Sequence, residues 1–185
     1  MGSVVYPACE IVKPGTIKHI AGNRFSLGEP EGSESDRLKF ISDILKRAGF
    51  RAPIQKNIRD EIWLKLIGNL SFNPISALTG ATLEQICNDQ GTEAIVRAMM
   101  TEAKIIAEEL GAKINMSIEK RIEGARKVGA HKTSMLQDIE AGKPIEIDSI
   151  IIAVKELGEL TCSPTPYIDT ILNLTLQKAK ILGCL

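Results

Sequence analysis

The chain is poor in aromatic residues, with one Trp, two Tyr and four Phe among 185 positions. No basic run is interleaved with them, which excludes the stacking platforms of single-strand nucleic-acid binders. There is no surplus of either charge: 23 Lys+Arg balance 23 Asp+Glu. Without a net field, neither nucleic acid nor an anionic membrane surface is recruited. The four cysteines, Cys9, Cys87, Cys162 and Cys184, lie far apart with no C-x-x-C, and only two histidines accompany them. That argues against a metal site and for a reduced, cytoplasmic protein with inert thiols. No apolar run approaches the roughly 20 residues of a membrane span. The N-terminus also lacks a signal-peptide core.

What is present is a globular balance, 44% hydrophobic and 25% charged, which suits one medium domain or one domain plus a fragment. Residues 4–30 read as β. Val4 to Val12 is strand-rich, Pro14-Gly15 turns it into Thr16–Ile20, and Gly22-Asn23 fits a two-residue hairpin turn into Arg24–Leu27. Ser33 or Ser35 can cap a helix carrying Leu38, Ile41, Ile44 and Leu45; Gly49 stops it, and 51–55 is a short extended piece. From Asn57 the pattern is helical throughout. After the run that Asn57 caps, helices fit 83–88, 91–110, 117–127, 134–141, 147–158 and 164–181. The change of character near residue 56 predicts a β–α piece over 1–56 and an all-helical domain over 57–185. Three strands and one helix are marginal alone, so the first piece reads as the end of a larger α/β domain.

The run Trp63-Leu-Lys65-Leu-Ile-Gly-Asn69-Leu-Ser-Phe-Asn73-Pro74 places one lysine and two asparagines four residues apart in an apolar helix. At about 100° per residue they fall on one stripe. Ile62, Trp63, Leu66, Ile67, Leu70 and Phe72 cover the other faces, so the helix is expected to be buried, and Pro74 to kink it. A buried ammonium beside two amides is costly unless something binds there. The plainer alternative is a snorkelling Lys65, with the amides satisfying helix carbonyls around the proline.

A second constellation is Thr133-Ser134-Met-Leu-Gln137-Asp138 opening one helix and Pro144-Ile-Glu146-Ile-Asp148 opening the next. Ser134-x-x-Gln137 fits a capping box, and Glu146 fits a charge that complements a helix dipole. The functional reading is that two helix N-termini with a hydroxyl and a carboxylate orient a small hydroxy- or keto-acid.

Together, W-x-K-x-x-x-N-x-x-x-N-P, then T-S-M-x-Q-D some sixty residues later, then E-I-D, resemble the ketopantoate reductase (2-dehydropantoate 2-reductase) family over roughly residues 56–170. The resemblance implies a mainly α fold: a helical domain like the 6-phosphogluconate dehydrogenase C-terminal domain, preceded by a remnant of a Rossmann NADPH domain. It implies reduction of ketopantoate to pantoate, on the route to pantothenate and coenzyme A. Carried over by motif, Lys65 is similar to the family's catalytic lysine, and Asn69 and Asn73 to its substrate-orienting asparagines. Ser134 is similar to the serine on the substrate carboxylate, and Glu146 to the glutamate on the substrate hydroxyl.

The chain departs from the family in two respects. The family's G-x-G-x-x-G loop is missing, and Gly15, Gly22, Gly28 and Gly32 do not reproduce its spacing. The chain by itself is therefore expected to be inactive and to bind NADPH weakly at most. Where some members carry further polar ligands, this chain has Leu83 and His131. The expected partners are a small keto-acid and, because a missing domain bares apolar surface, a second copy in a homodimer. The sequence admits one other class of function, a non-catalytic helical module for dimerisation or partner binding.

Overall fold

The computed structural model describes residues 1–185, apart from the side chain of Glu10. It divides into two compact units, Met1–Ile62 and Trp63–Leu185.

The first unit contains β1 (Gly2–Val5), β2 (Ala8–Lys13), β3 (Thr16–Ala21), β4 (Phe25–Gly28) and α1 (Asp36–Arg47). Strands β2 and β3 pair antiparallel across Pro14-Gly15, while β1 pairs antiparallel with β4 from Gly2↔Gly28 to Val5↔Phe25. The hairpin expected between β3 and β4 at Gly22-Asn23 is therefore not formed, because each strand takes an upstream partner instead. The two pairs form an interrupted ribbon. Pro7, which has no N–H for the ladder, splits the single stretch expected over Val4–Val12. Opposite it Gly22 (φ +75°) runs so close to Tyr6 that a Cβ would stand 2.6 Å from the Tyr6 carbonyl oxygen. Residues 51–55 lie parallel to β4: Leu27 N donates to the Pro53 carbonyl at 3.0 Å, and Gln55 N to the Leu27 carbonyl at 2.7 Å. Ser35 is the residue that caps α1, accepting from Leu38 N. Leu27, Leu38 and Ala52 form the core of this unit, while Ile44 is exposed.

The second unit is all-helical. Helix α2 (Ile58–Thr79), whose residues up to Ile62 belong to the first unit, begins beyond Asn57, whose side chain accepts from Arg59 N, and runs without interruption through Pro74. Every residue from Leu70 to Ala77 is buried, as expected of a helix apolar nearly all round. Then come α3 (Leu83–Asn88), α4 (Gln90–Glu109), α5 (Ile118–Val128), α6 (Ser134–Glu140), α7 (Ala153–Leu160) and α8 (Pro166–Leu182). Helix α4 is central: Val96, Met99, Met100, Ala103, Ile106 and Ala107 repeat at helical spacing and are fully buried, and α3, α5, α7 and α8 pack on it. The helix expected over 147–158 differs in kind. Its first part, Asp148–Ile152, is a π-helical turn in which Ala153 N donates to the Asp148 carbonyl, and α7 follows. No helix among the described residues is long and apolar enough to cross a membrane.

The N-terminus of α8 is capped from another helix. Thr165 provides no side-chain cap; instead, the buried Glu102 of α4 accepts from Tyr167 N and Ile168 N, each at 2.9 Å. This satisfies two orphan donors with a charge that the helix dipole favours. Glu102→Ala is therefore expected to lower stability by about 1–3 kcal/mol, and Glu102→Gln by less, since the amide keeps one acceptor. Urea midpoints of the two variants check this, and an unchanged midpoint for Glu102→Ala would contradict it.

Candidate functional site

Helix α2 turns Lys65, Gly68, Asn69, Phe72 and Asn73 toward a cavity of about 360 Å³, near the lower end of the roughly 300–1,000 Å³ common for ligand pockets. Leu83 forms part of the wall, as do Arg121, Gly124, Ala125 and Val128 of α5. His131, Thr133 and Ser134 complete it. Four of the five residues singled out by the sequence, Lys65, Asn69, Asn73 and Ser134, thus line one space although two distant segments supply them.

The half-buried Lys65 amine is shifted below its ordinary pKa. Burial is the largest cause; the Glu146 carboxylate opposes it, and the positive charge of Arg121 adds to it. Asn73 is 95% buried by its 5% exposure, and its Nδ2 has no hydrogen-bond partner. A buried donor left in that state costs about 1–3 kcal/mol, and a ligand acceptor in the cavity relieves the cost.

Ser134 is not the cap that the capping-box pattern suggested. Thr133, with extended backbone and a buried side chain, takes that role and accepts from Leu136 N at 3.3 Å. Gln137 turns back to the Lys132 carbonyl at 2.9 Å instead of completing a box. Ser134 becomes the first helical residue, exposed at the cavity wall. The capping box that does form is Thr82 with Gln85.

Glu146 is exposed and does not line the cavity, but its charge reaches Lys65. Its place follows from its neighbours. Ile145 and Ile147 are buried on either side, and Ile145 N donates to the Cys184 carbonyl at 3.0 Å. With both flanking side chains turned inward, the one between them is held outward.

Arg121 is the site residue that the sequence reading missed. Its guanidinium lies over Gly68, where a Cβ would stand 2.0 Å from Nη2 and 2.6 Å from Nε. A glycine inside a helix forfeits about 0.5–1 kcal/mol against alanine, and this close approach is what it permits. The glycine in the middle of the stripe was the available signal. Arg121 itself falls in a helix rich in surface charge, where spacing distinguishes none of the cations.

A wider groove of about 540 Å³ runs along α4 past Tyr167, but its ionic groups are occupied with one another. Arg97 pairs with Glu93 at 2.8 Å and Glu119 at 2.7 Å, and Glu102 caps α8.

Residues 57–179 match the family model described as ketopantoate reductase PanE/ApbA C terminal. A 2-dehydropantoate 2-reductase of Mesorhizobium japonicum is 54% identical over 184 residues, which are 100% of this chain and 56% of that protein. A solved chain from Ralstonia solanacearum MolK2 superposes with a TM-score of 0.94 at 43% identity, covering 100% of this chain and 56% of its own. The structure of 2-dehydropantoate 2-reductase from Methylococcus capsulatus superposes with a TM-score of 0.91 at 30% identity, covering 98% and 63%. The chain thus spans little more than half the length of these relatives. With its helical architecture and more than half its length matching that model, the chain belongs to the ketopantoate reductase family.

Proposed function

We propose that residues 57–185 are the substrate-binding and catalytic domain of an NADPH-dependent 2-dehydropantoate 2-reductase, and that residues 1–56 are the end of its nucleotide-binding domain. The reaction is the reduction of ketopantoate to pantoate. The observation that carries this reading is the convergence of Lys65, Asn69, Asn73 and Ser134 on one cavity, with Glu146 in electrostatic reach. Local capping and snorkelling give no reason for these residues to meet.

The glycines of this chain do not form a dinucleotide-binding loop. Gly15, Gly22 and Gly32 sit at positive φ outside helices, and Gly28 ends β4 eight residues before α1 begins. None presents a helix N-terminus to a pyrophosphate. NADPH, the reductant of this reading, supplies hydride when bound by the complete enzyme. The part played by this chain is the proton and the positioning. As the ketone carbon gains hydride, its oxygen becomes an alkoxide, and the Lys65 ammonium stabilises that charge and gives up a proton to it. Neutral Lys65 then recovers a proton from solvent. The amides of Asn69 and Asn73 orient the substrate, Ser134 donates to its carboxylate, and Glu146 accepts from its hydroxyl. For assembly the reading includes a homodimer, supported by Tyr167, Leu174 and Ile181, which recur every seven residues and are exposed on α8.

In the complete enzyme, Lys65→Ala is expected to lower kcat by about 10²- to 10⁴-fold with a smaller change in KM, because the proton is needed as charge develops. An unchanged kcat would sink the assignment. The pH profile supplies a second check. Reduction needs protonated Lys65, so kcat/KM should fall as pH rises through the amine's pKa, below the ordinary lysine value of 10.5. Glu146 raises that pKa, so Glu146→Gln should move the falling limb to lower pH as well as weaken substrate binding. A limb that stays in place or moves upward would contradict the coupling of Glu146 to Lys65.

A further inference from the structure

Arg121 lines the cavity and has no part in the steps above. Its guanidinium lies over Gly68, three residues after Lys65 and one before Asn69. Helix positions three apart are neighbours, about 5–6 Å between side-chain origins, so Arg121 stands beside the proton donor. The charges that act on Lys65 are the Arg121 guanidinium of α5 and the Glu146 carboxylate before the π-helical turn, and His131 in the loop before α6 lines the same cavity.

We infer that Arg121 holds the carboxylate of the substrate. The inference rests on the oxo-acid reading above. In a 2-oxo acid the carboxylate carbon is bonded directly to the ketone carbon, so the group that clamps one must adjoin the group that protonates the other. Arg121 occupies that place, and its planar fork of donors matches two carboxylate oxygens at once. Ser134 adds a single hydroxyl donor elsewhere on the cavity wall, and Phe72, Leu83, Ala125 and Val128 supply apolar stretches that accept alkyl substituents. The repulsion between Arg121 and Lys65, which helps hold the amine down, is relieved by an anion between them.

Calorimetric titration of the 185-residue chain with ketopantoate tests this. Wild type is expected to bind, Arg121→Met to lose affinity on the order of 10- to 100-fold, and Arg121→Lys to recover part of it. The methyl ketone in which a methyl group replaces the carboxylate should bind wild type and Arg121→Met alike. Gly68→Ala, which keeps the charge but pushes the guanidinium aside, should also weaken ketopantoate binding. Circular dichroism melts establish that each variant folds; if Arg121→Met does not, Arg121→Lys and Gly68→Ala carry the same comparison. Equal ketopantoate affinity in wild type and the variants overturns the role of Arg121 and leaves the oxo-acid reading standing. No binding of ketopantoate by wild type overturns the oxo-acid reading and this inference together.

Discussion

Burying α2 puts a lysine, two amides and a glycine against the interior of the helical unit, and its neighbours must accommodate them. The apolar faces of the helix are taken up by the core that surrounds α4. The polar stripe cannot be treated the same way, because amides and an ammonium packed against hydrocarbon would each lose hydrogen bonds to water without replacement. The structure leaves space along the stripe, with α5 and the start of α6 forming the other walls. Asn73 shows the cost of that arrangement most directly, since its amide nitrogen is buried without a partner. A purely structural helix would gain by replacing it with leucine.

The electrostatics follow from the same constraint. Burial pushes the Lys65 amine toward its neutral form, Arg121 pushes it further, and Glu146 pulls it back. For the proposed reaction this balance matters, because a general acid is most effective when its pKa lies near the operating pH. Each of the two charges has its own structural support. Arg121 reaches the helix because Gly68 has no side chain. Glu146 faces outward because Ile145 and Ile147 on either side are buried and Ile145 is tied to the Cys184 carbonyl. Ser134 is released to face the cavity because Thr133 has taken the cap.

Much of this was legible in the sequence because it is written in local periodicity. The helices after Asn57, the buried α2 and the stripe of Lys65, Asn69 and Asn73 all follow from spacing along one segment. What spacing could not supply was pairing between segments. Gly22-Asn23 looks like a hairpin turn, yet β3 and β4 each pair with a strand further upstream, a choice made by partners that a local reading does not weigh. Thr133 and Ser134 are adjacent residues of equal capping chemistry, and only the backbone path decides between them. Arg121 is the clearest case, since its importance depends on a helix fifty residues earlier having a glycine opposite it. The π-helical turn at Asp148–Ile152 leaves no mark in an apolar run that reads equally well as α.

The central claim is that the stripe on α2 is a site for an oxo-acid anion rather than a polar flaw in a core helix. The most direct measurement is the pKa of Lys65 by NMR titration of its ε-methylene resonances in this chain, with and without ketopantoate. If the claim holds, the amine titrates below the ordinary lysine value of 10.5 in the free chain. It then moves upward when the carboxylate binds beside it, because a nearby anion favours the charged form. A Lys65 that titrates at the ordinary value, or whose pKa does not change on addition of ketopantoate, would contradict it.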